Sequence, residues 1–204
     1  MDLSTLRSFA SLGFGHITAA GALDHILFLL VLAAVYRWTE WRQAVVVVTA
    51  FTIGHSLTLA LAVWRPGLLP DPGIVEFLIP LTIVATGIEN IVTRGVRQRR
   101  VSARRRTLLA GTFGLVHGAG FAGYLREIFP GSVAGPLFGF NIGIELGQVA
   151  VLIACFAVLA AVDRAMMAFI MKRSTSAAFQ LRVAAVSLGV AVMGGVWAVE
   201  RAPW

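Results

Sequence analysis

The chain has 204 residues, of which 58% are hydrophobic and 13% charged, and its formal net charge at pH 7 is +7. Soluble domains carry about 25% charged residues, and a soluble fold of this size could not bury so much apolar surface, so the composition excludes a soluble globular protein. A single cysteine, Cys155, excludes an internal disulfide bond and a thiolate metal cluster.

Long apolar runs recur along the chain, and a run of about 20 such residues crosses a bilayer core. Inside lipid the backbone must satisfy its own hydrogen bonds, so spans are helices or strands of a closed barrel. The runs are continuous rather than alternating, which favours helices. The sequence therefore predicts an all-α, polytopic membrane helix bundle, with residues 1–204 forming a single transmembrane domain.

Six spanning helices are predicted from the apolar runs between charged loops or loops with proline and glycine. A short, mildly amphipathic segment at residues 3–15 is expected to lie in the membrane interface before them. The predicted spans cover residues 17–36, 43–63, 74–93, 107–125, 136–162 and 181–199. An even number of spans places both termini on the same side of the membrane.

Basic residues are concentrated in the loops on one side of this bundle. Thirteen of the 17 Lys and Arg residues follow the first, third and fifth spans: Arg37, Arg42, Arg94, Arg97, Arg99, Arg100, Arg104, Arg105, Arg106, Arg164, Lys172, Arg173 and Arg182. Basic loops mark the cytoplasmic side, so both termini are predicted to be extracytoplasmic. A basic run beside the membrane also contacts anionic lipid headgroups, and nucleic acid is not an expected partner.

Ionisable side chains occur inside five of the six predicted spans. Such groups cost about 3 kcal/mol each at the bilayer centre and are read as functional. Counted from the arginine-rich ends, His25, His55 and His117 lie roughly 15 to 18 Å deep, in one layer near the midplane. Asp24 precedes His25, and Glu145 is expected in this layer or slightly outside it.

The fifth predicted span has two distinct faces. Asn141, Glu145 and Gln148 follow one another at spacings of four and three, which puts them on one face of a helix. Glycines at every fourth position line the opposite face: Gly135, Gly139, Gly143 and Gly147. Because small residues let helices approach closely, one face is expected to pack and the other to present polar groups to the interior.

Imidazole and carboxylate groups without thiolates suit Ni, Co, Zn, Cu or Fe, whereas Ca and Mg prefer oxygen ligands alone. Any one of these side chains, taken singly, is better explained as a hydrogen-bonding link between helices. The set at one depth favours a site for a metal ion or a proton. The residues leave open which ion it is.

Several phrases are recognisable as a set: residues 15–17, 24–28, 49–60, 113–122 and 138–148, together with Val75, Glu76, Glu89 and Asn90 in the third span. They resemble the HupE/UreJ family of small membrane proteins, and the resemblance touches the first five spans. It implies an integral protein of the bacterial inner membrane, in a family whose members are proposed nickel or cobalt permeases serving hydrogenase and urease. Carried over by matching phrases, the candidate metal ligands are His16, Asp24, His25, His55, His117 and Glu145.

His16 departs from the family's phrase in its spacing. Asp24 and His25 stand eight and nine positions after it, farther along than the family pattern has them. Two extra residues turn a continuous helix by about 200°. The spacing therefore predicts that His16 does not share a face with Asp24 and His25.

Three functions fit this pattern. A permease would bind its ion at the midplane and release it to the cytoplasm past Glu89. An intramembrane metalloenzyme would keep an open coordination position on a histidine-bound ion, and an accessory protein would hold metal for another complex. Glu89 and Asn90, between the histidines and the cytoplasm, supply a polar path and favour transport. The metal, the direction, the coupling ion and any homo-oligomer are left open.

Overall fold

The structure is a computed structural model that describes residues 2–93, 99–128, 134–169 and 175–203. All regular structure in these ranges is helical, which confirms the predicted all-α class. The helices are α1 (Leu3–Thr18), α2 (Leu23–Ala33), α3 (Trp41–Trp64), α4 (Pro72–Thr93), α5 (Arg99–Ile128), α6 (Ala134–Phe169) and α7 (Thr175–Glu200). Of the basic residues used to predict the orientation, Arg94, Arg97, Lys172 and Arg173 lie outside the described ranges.

Four helices in the described ranges, α3, α4, α6 and α7, are long and apolar enough to cross a membrane. α1 and α2 pass the same test jointly, with a bend of 71° between them, which brings the number to five. α5 is long but less apolar, because arginines occupy its first turns and glycines recur along the rest. By length and composition the chain is thus a membrane protein with four or five candidate spans, where the sequence predicted six.

The first predicted span, 17–36, is not one continuous helix. α1 ends at Thr18, whose hydroxyl donates a hydrogen bond of 2.9 Å to a carbonyl one turn earlier, and such contacts often bend helices. Gly21 follows in the connection to α2 and has a low helix propensity. The break separates His16 at the end of α1 from His25 in the first turn of α2, so their relative position does not follow helical periodicity.

The segment expected at the membrane interface is α1, and it packs lengthwise against α6 instead. A Cβ atom added at Gly139, Gly143 or Gly147 would meet atoms of α1, and one added at Gly13 would collide with the carbonyl oxygen of Phe140. The glycine stripe of α6 is therefore confirmed as a packing face. Its partner is α1, which belongs to the bundle because these glycines bring the two backbones into contact.

Glycines also bring α3 and α5 together, side by side and parallel. Added Cβ atoms at Gly54, Gly114 and Gly118 would each collide with the backbone of the opposite helix, and at Gly118 the obstacle is the backbone of His55. Helices with glycine at the crossing approach until their backbones touch. The middle of α3, with His55, therefore lies directly against the part of α5 that carries His117.

α7 is anchored near its N-terminus by Arg182, which is only 4% exposed. Its guanidinium donates to the carboxylate of Asp163 on α6 and to the carbonyls of Ala34 (3.0 Å) and Tyr36 (2.9 Å), just after α2. A planar guanidinium can serve several acceptors at once. One side chain thus ties α7 to α6 and to the end of α2.

Arg182→Ala should lower the free energy of unfolding by about 3 kcal/mol, because the Asp163 carboxylate loses its buried counter-charge. Thermal unfolding of the detergent-solubilised protein, followed by circular dichroism, measures the loss. Arg182→Lys should recover only part of it, since an ammonium group lacks the planar fork. Arg201→Ala, at the exposed position after α7, is the control, and equal losses in the Arg182 and Arg201 alanine variants would contradict this role.

Candidate metal site

All four histidines of the chain meet where the break between α1 and α2 faces α3 and α5. The ring centroids of His16 and His25 are 4.8 Å apart, and those of His25 and His117 are 5.3 Å apart. The ring of His55 lies 6.0 Å from that of His16. The expectation that His16 lies on a different face is wrong, because the helix break turns its ring toward His25. We call these four residues and Asp24 the histidine cluster.

His117 is oriented by Thr82 on α4. The Thr82 hydroxyl donates to the carbonyl of Ile79 (2.7 Å) and lies 3.0 Å from Nε2 of His117. A hydroxyl has a single hydrogen to donate, so we assign the hydrogen of the His117 ring to Nε2, from which Thr82 accepts. The lone pair of His117 is then on Nδ1, a buried atom without a hydrogen-bond partner in the described structure.

His25 is oriented in a similar way by the neighbouring Asp24. One carboxylate oxygen accepts from the backbone N–H of His25 (2.8 Å) and lies 3.0 Å from Nδ1 of its ring. An ionised carboxylate only accepts, so Nδ1 carries the hydrogen and Nε2 the lone pair. Carboxylate and hydroxyl groups of this kind fix the tautomer of histidines that bind metals.

Five buried ring nitrogens in the cluster have no hydrogen-bond partner among the described residues. They are His16 Nε2, His25 Nε2, His117 Nδ1 and both ring nitrogens of His55. Buried polar atoms are nearly always paired, and each unpaired one costs about 1–3 kcal/mol. Histidines that only linked helices would have partners here. An ion at the centre of the cluster would satisfy several of these nitrogens at once.

The donor atoms of the cluster fall into two groups. His16, His25 and His55 form one, and Asp24, His25 and His117 form the other. Within each group the ligand atoms lie within 4.8 Å of one another. His25 is common to both groups, and the imidazole and carboxylate donors suit a divalent transition metal ion.

The chain matches the family model described as HupE / UreJ protein over residues 2–201. It belongs to the HupE/UreJ family. No curated protein and no solved structure matches the chain significantly. The family match runs from α1 to α7, so it extends past the five spans whose phrases suggested it and includes the whole histidine cluster.

In this HupE/UreJ protein, phenylalanine rings enclose the cluster. Phe121 packs on His16 (4.1 Å between ring centroids), and Phe51 on His117 (5.1 Å). Phe140 stacks on Phe121. Apolar rings of this kind lower the local dielectric constant and strengthen the electrostatic interactions beside them. Sequence reasoning did not identify these rings, although Phe51 precedes His55 by four residues, a spacing that places two side chains on one helix face.

Glu145 lies apart from both donor groups of the HupE/UreJ cluster. Its carboxylate accepts a hydrogen bond of 2.5 Å from the Thr49 hydroxyl, and Thr52 donates to Gln148 (2.7 Å). The polar face of α6 is therefore directed at α3, inside the bundle, as predicted. Thr49 precedes His55 by six residues, about 9 Å along the helix axis, so Glu145 meets α3 nearer its arginine-rich end.

An open groove and a small cavity lie on opposite sides of the cluster. On the side of the α1 N-terminus, a groove of about 510 Å³ reaches the ring of His16. Its lining is partly polar and comprises Ser8, Ser11, Leu12, Gly15, His16 and Phe121. Toward the arginine-rich end, a cavity of about 30 Å³ extends from Phe28 and Phe113 to Glu89, enough space for about two water molecules.

Glu89 lines this cavity and is paired with two arginines. Its carboxylate accepts hydrogen bonds from Arg105 (2.5 Å) and Arg106 (3.2 Å). Arg106 also donates to the Thr93 hydroxyl (3.1 Å), and its side chain is largely buried. A cation leaving the cluster on this side would therefore meet a carboxylate whose charge is already compensated.

Proposed function

We propose that this protein carries a divalent transition metal ion of the nickel or cobalt type across the bacterial inner membrane, with the histidine cluster as its binding site. The observation that carries the proposal is the set of five buried ring nitrogens, without hydrogen-bond partners among the described residues, at the end of an open groove. His16, His25, His55 and His117 would supply imidazole ligands, and Asp24 a carboxylate. We assign Glu145 to a supporting polar layer between α3 and α6 rather than to the ligand set.

The proposal includes six spans. Four are α3, α4, α6 and α7, and the bent pair of α1 and α2 is the fifth. We count α5 as the sixth because it lies parallel to the apolar α3, with their backbones in contact. A helix bound so closely to a spanning helix crosses at the same depth. With the arginine-rich loops in the cytoplasm, both termini are extracytoplasmic, and the groove at His16 opens on that side.

An ion would enter along the Ser8 and Ser11 side of the groove and exchange water ligands for imidazole nitrogens at His16. Each donor group supplies three protein ligands, which leaves coordination positions open for exchange. Release would follow the cavity toward Glu89. An enzyme has no need of a cavity on the far side of its site, so the cavity between Phe28 and Glu89 supports transport over catalysis. Binding between helices near the midplane is the arrangement of many transporters.

Reconstituted protein should accumulate radioactive nickel or cobalt in liposomes, at a rate that saturates with ion concentration. Liposomes without protein and liposomes with the Cys155→Ala variant are the controls, and the variant should match the wild type. Tight, stoichiometric binding without flux of nickel, cobalt or zinc would contradict transport and leave catalysis or metal storage. Absence of binding for all three ions would contradict the site itself.

A further inference from the structure

We infer that the transported ion occupies two overlapping positions in turn, with His25 as the ligand common to both. The first position is formed by His16, His25 and His55, and the second by Asp24, His25 and His117. This inference rests on the proposed function and specifies how the ion moves through the site. In place of one binding site, the ion has two adjacent sites inside the membrane, and we call its transfer from the first to the second the hand-over.

A single ion cannot be bound by the whole cluster as it stands. Nitrogen and oxygen ligands lie about 2.0–2.2 Å from a metal such as zinc, so two ligands of one ion are at most about 4.4 Å apart. In each group the donor atoms are within 4.8 Å of one another, close to this limit, but the five side chains do not form one such group in the described structure. Small rotations would complete either trio, whereas binding by all five needs larger movements.

The shared ligand makes the two positions alternatives. A neutral imidazole offers a lone pair on only one of its nitrogens, so His25 serves one ion at a time. Asp24 has two oxygens, and one can keep the hydrogen bond to Nδ1 of His25 while the other binds the ion. The carboxylate thus orients His25 in both positions and is itself a ligand in the second.

The two positions lie near different cavities, which gives the movement of the ion a direction. The first includes His16, which lines the open groove. The second includes His117, whose ring lies 5.6 Å from that of Phe28, and Phe28 lines the cavity that reaches Glu89. An ion that enters from the groove is therefore bound first by the trio with His16 and leaves from the trio with His117.

The test compares two variants that each remove one position. His55→Ala affects only the first position and His117→Ala only the second. Because the other position remains in each variant, both should still bind about one nickel ion per chain, with affinity weakened by less than about tenfold. X-ray absorption should show a carboxylate oxygen among the ligands of nickel bound to His55→Ala. For nickel bound to His117→Ala, it should show imidazole nitrogens as the protein ligands. Uptake by liposomes should be lost in both.

Several outcomes would overturn the hand-over and leave the proposed function intact. They are complete loss of binding in either variant with its fold preserved, two ions bound at once by the wild type, or full uptake by either variant. Thermal unfolding checks the fold, and the conservative variants His55→Gln and His117→Gln repeat the comparison with smaller changes in packing. A wild-type protein that binds no metal would instead overturn the proposed function itself.

Discussion

His25→Ala should weaken nickel binding at least about 100-fold, beyond the 10- to 100-fold losses typical of residues that only support a metal ligand. His25 belongs to both donor groups, so its removal leaves neither trio complete. Its side chain is buried between the rings of His16 and His117, where no other imidazole can replace it. Isothermal titration of the purified protein with nickel measures the affinity.

Two variants serve as controls for His25→Ala. Cys155→Ala changes a buried side chain on α6 that is outside the cluster, and it should bind nickel like the wild type. Asp24→Asn keeps an oxygen beside His25 but removes the negative charge, so its loss should be smaller than that of His25→Ala. A His25→Ala protein that is folded and binds within threefold of the wild type would show that these imidazoles are structural.

The meeting of His55 and His117 was predictable because both lie inside regular helices, α3 and α5. The 1.5 Å rise per residue puts His55 and His117 at similar heights above the arginine-rich ends, and their ring centroids lie 6.3 Å and 5.3 Å from that of His25. His16 was not predictable in this way. Its position depends on a break in the helix, and helical periodicity has no meaning across a break.

The position of α1 was also beyond local sequence reasoning. Its serines and arginine resemble an interfacial helix when the segment is taken alone. The contacts that hold α1 in the bundle come from the glycine stripe of α6, more than 120 residues later in the chain. The stripe itself predicted a close helix contact, but a small-residue pattern does not specify its partner. Glu145 lies outside both donor groups for a related reason. Tertiary packing sets which part of α3 is in contact with α6, and the sequence of α6 alone does not specify it.

Gly118→Ala should weaken nickel binding and lower the thermal stability together. A Cβ atom at this position would collide with the carbonyl oxygen, the Cα and the carbonyl carbon of His55. These are backbone atoms and cannot rotate away, so α3 and α5 must separate, at a cost of about 1–3 kcal/mol for overpacking. Because metal ligands must keep their distances within about 0.2 Å, separating the helices that carry His55 and His117 disturbs both donor groups.

Gly123→Ala is the matched control, on the same helix and with nothing within 4 Å of its added Cβ atom. Alanine has the higher helix propensity, so this variant should be as stable as the wild type or more stable, by up to about 1 kcal/mol. Thermal unfolding without metal and nickel titration are measured on both variants. If Gly118→Ala is destabilised but binds nickel with wild-type affinity, the crossing of α3 and α5 holds the fold without setting the geometry of the site. If it is as stable as Gly123→Ala, the two backbones are not in contact, and the site must be assembled by the break between α1 and α2 alone.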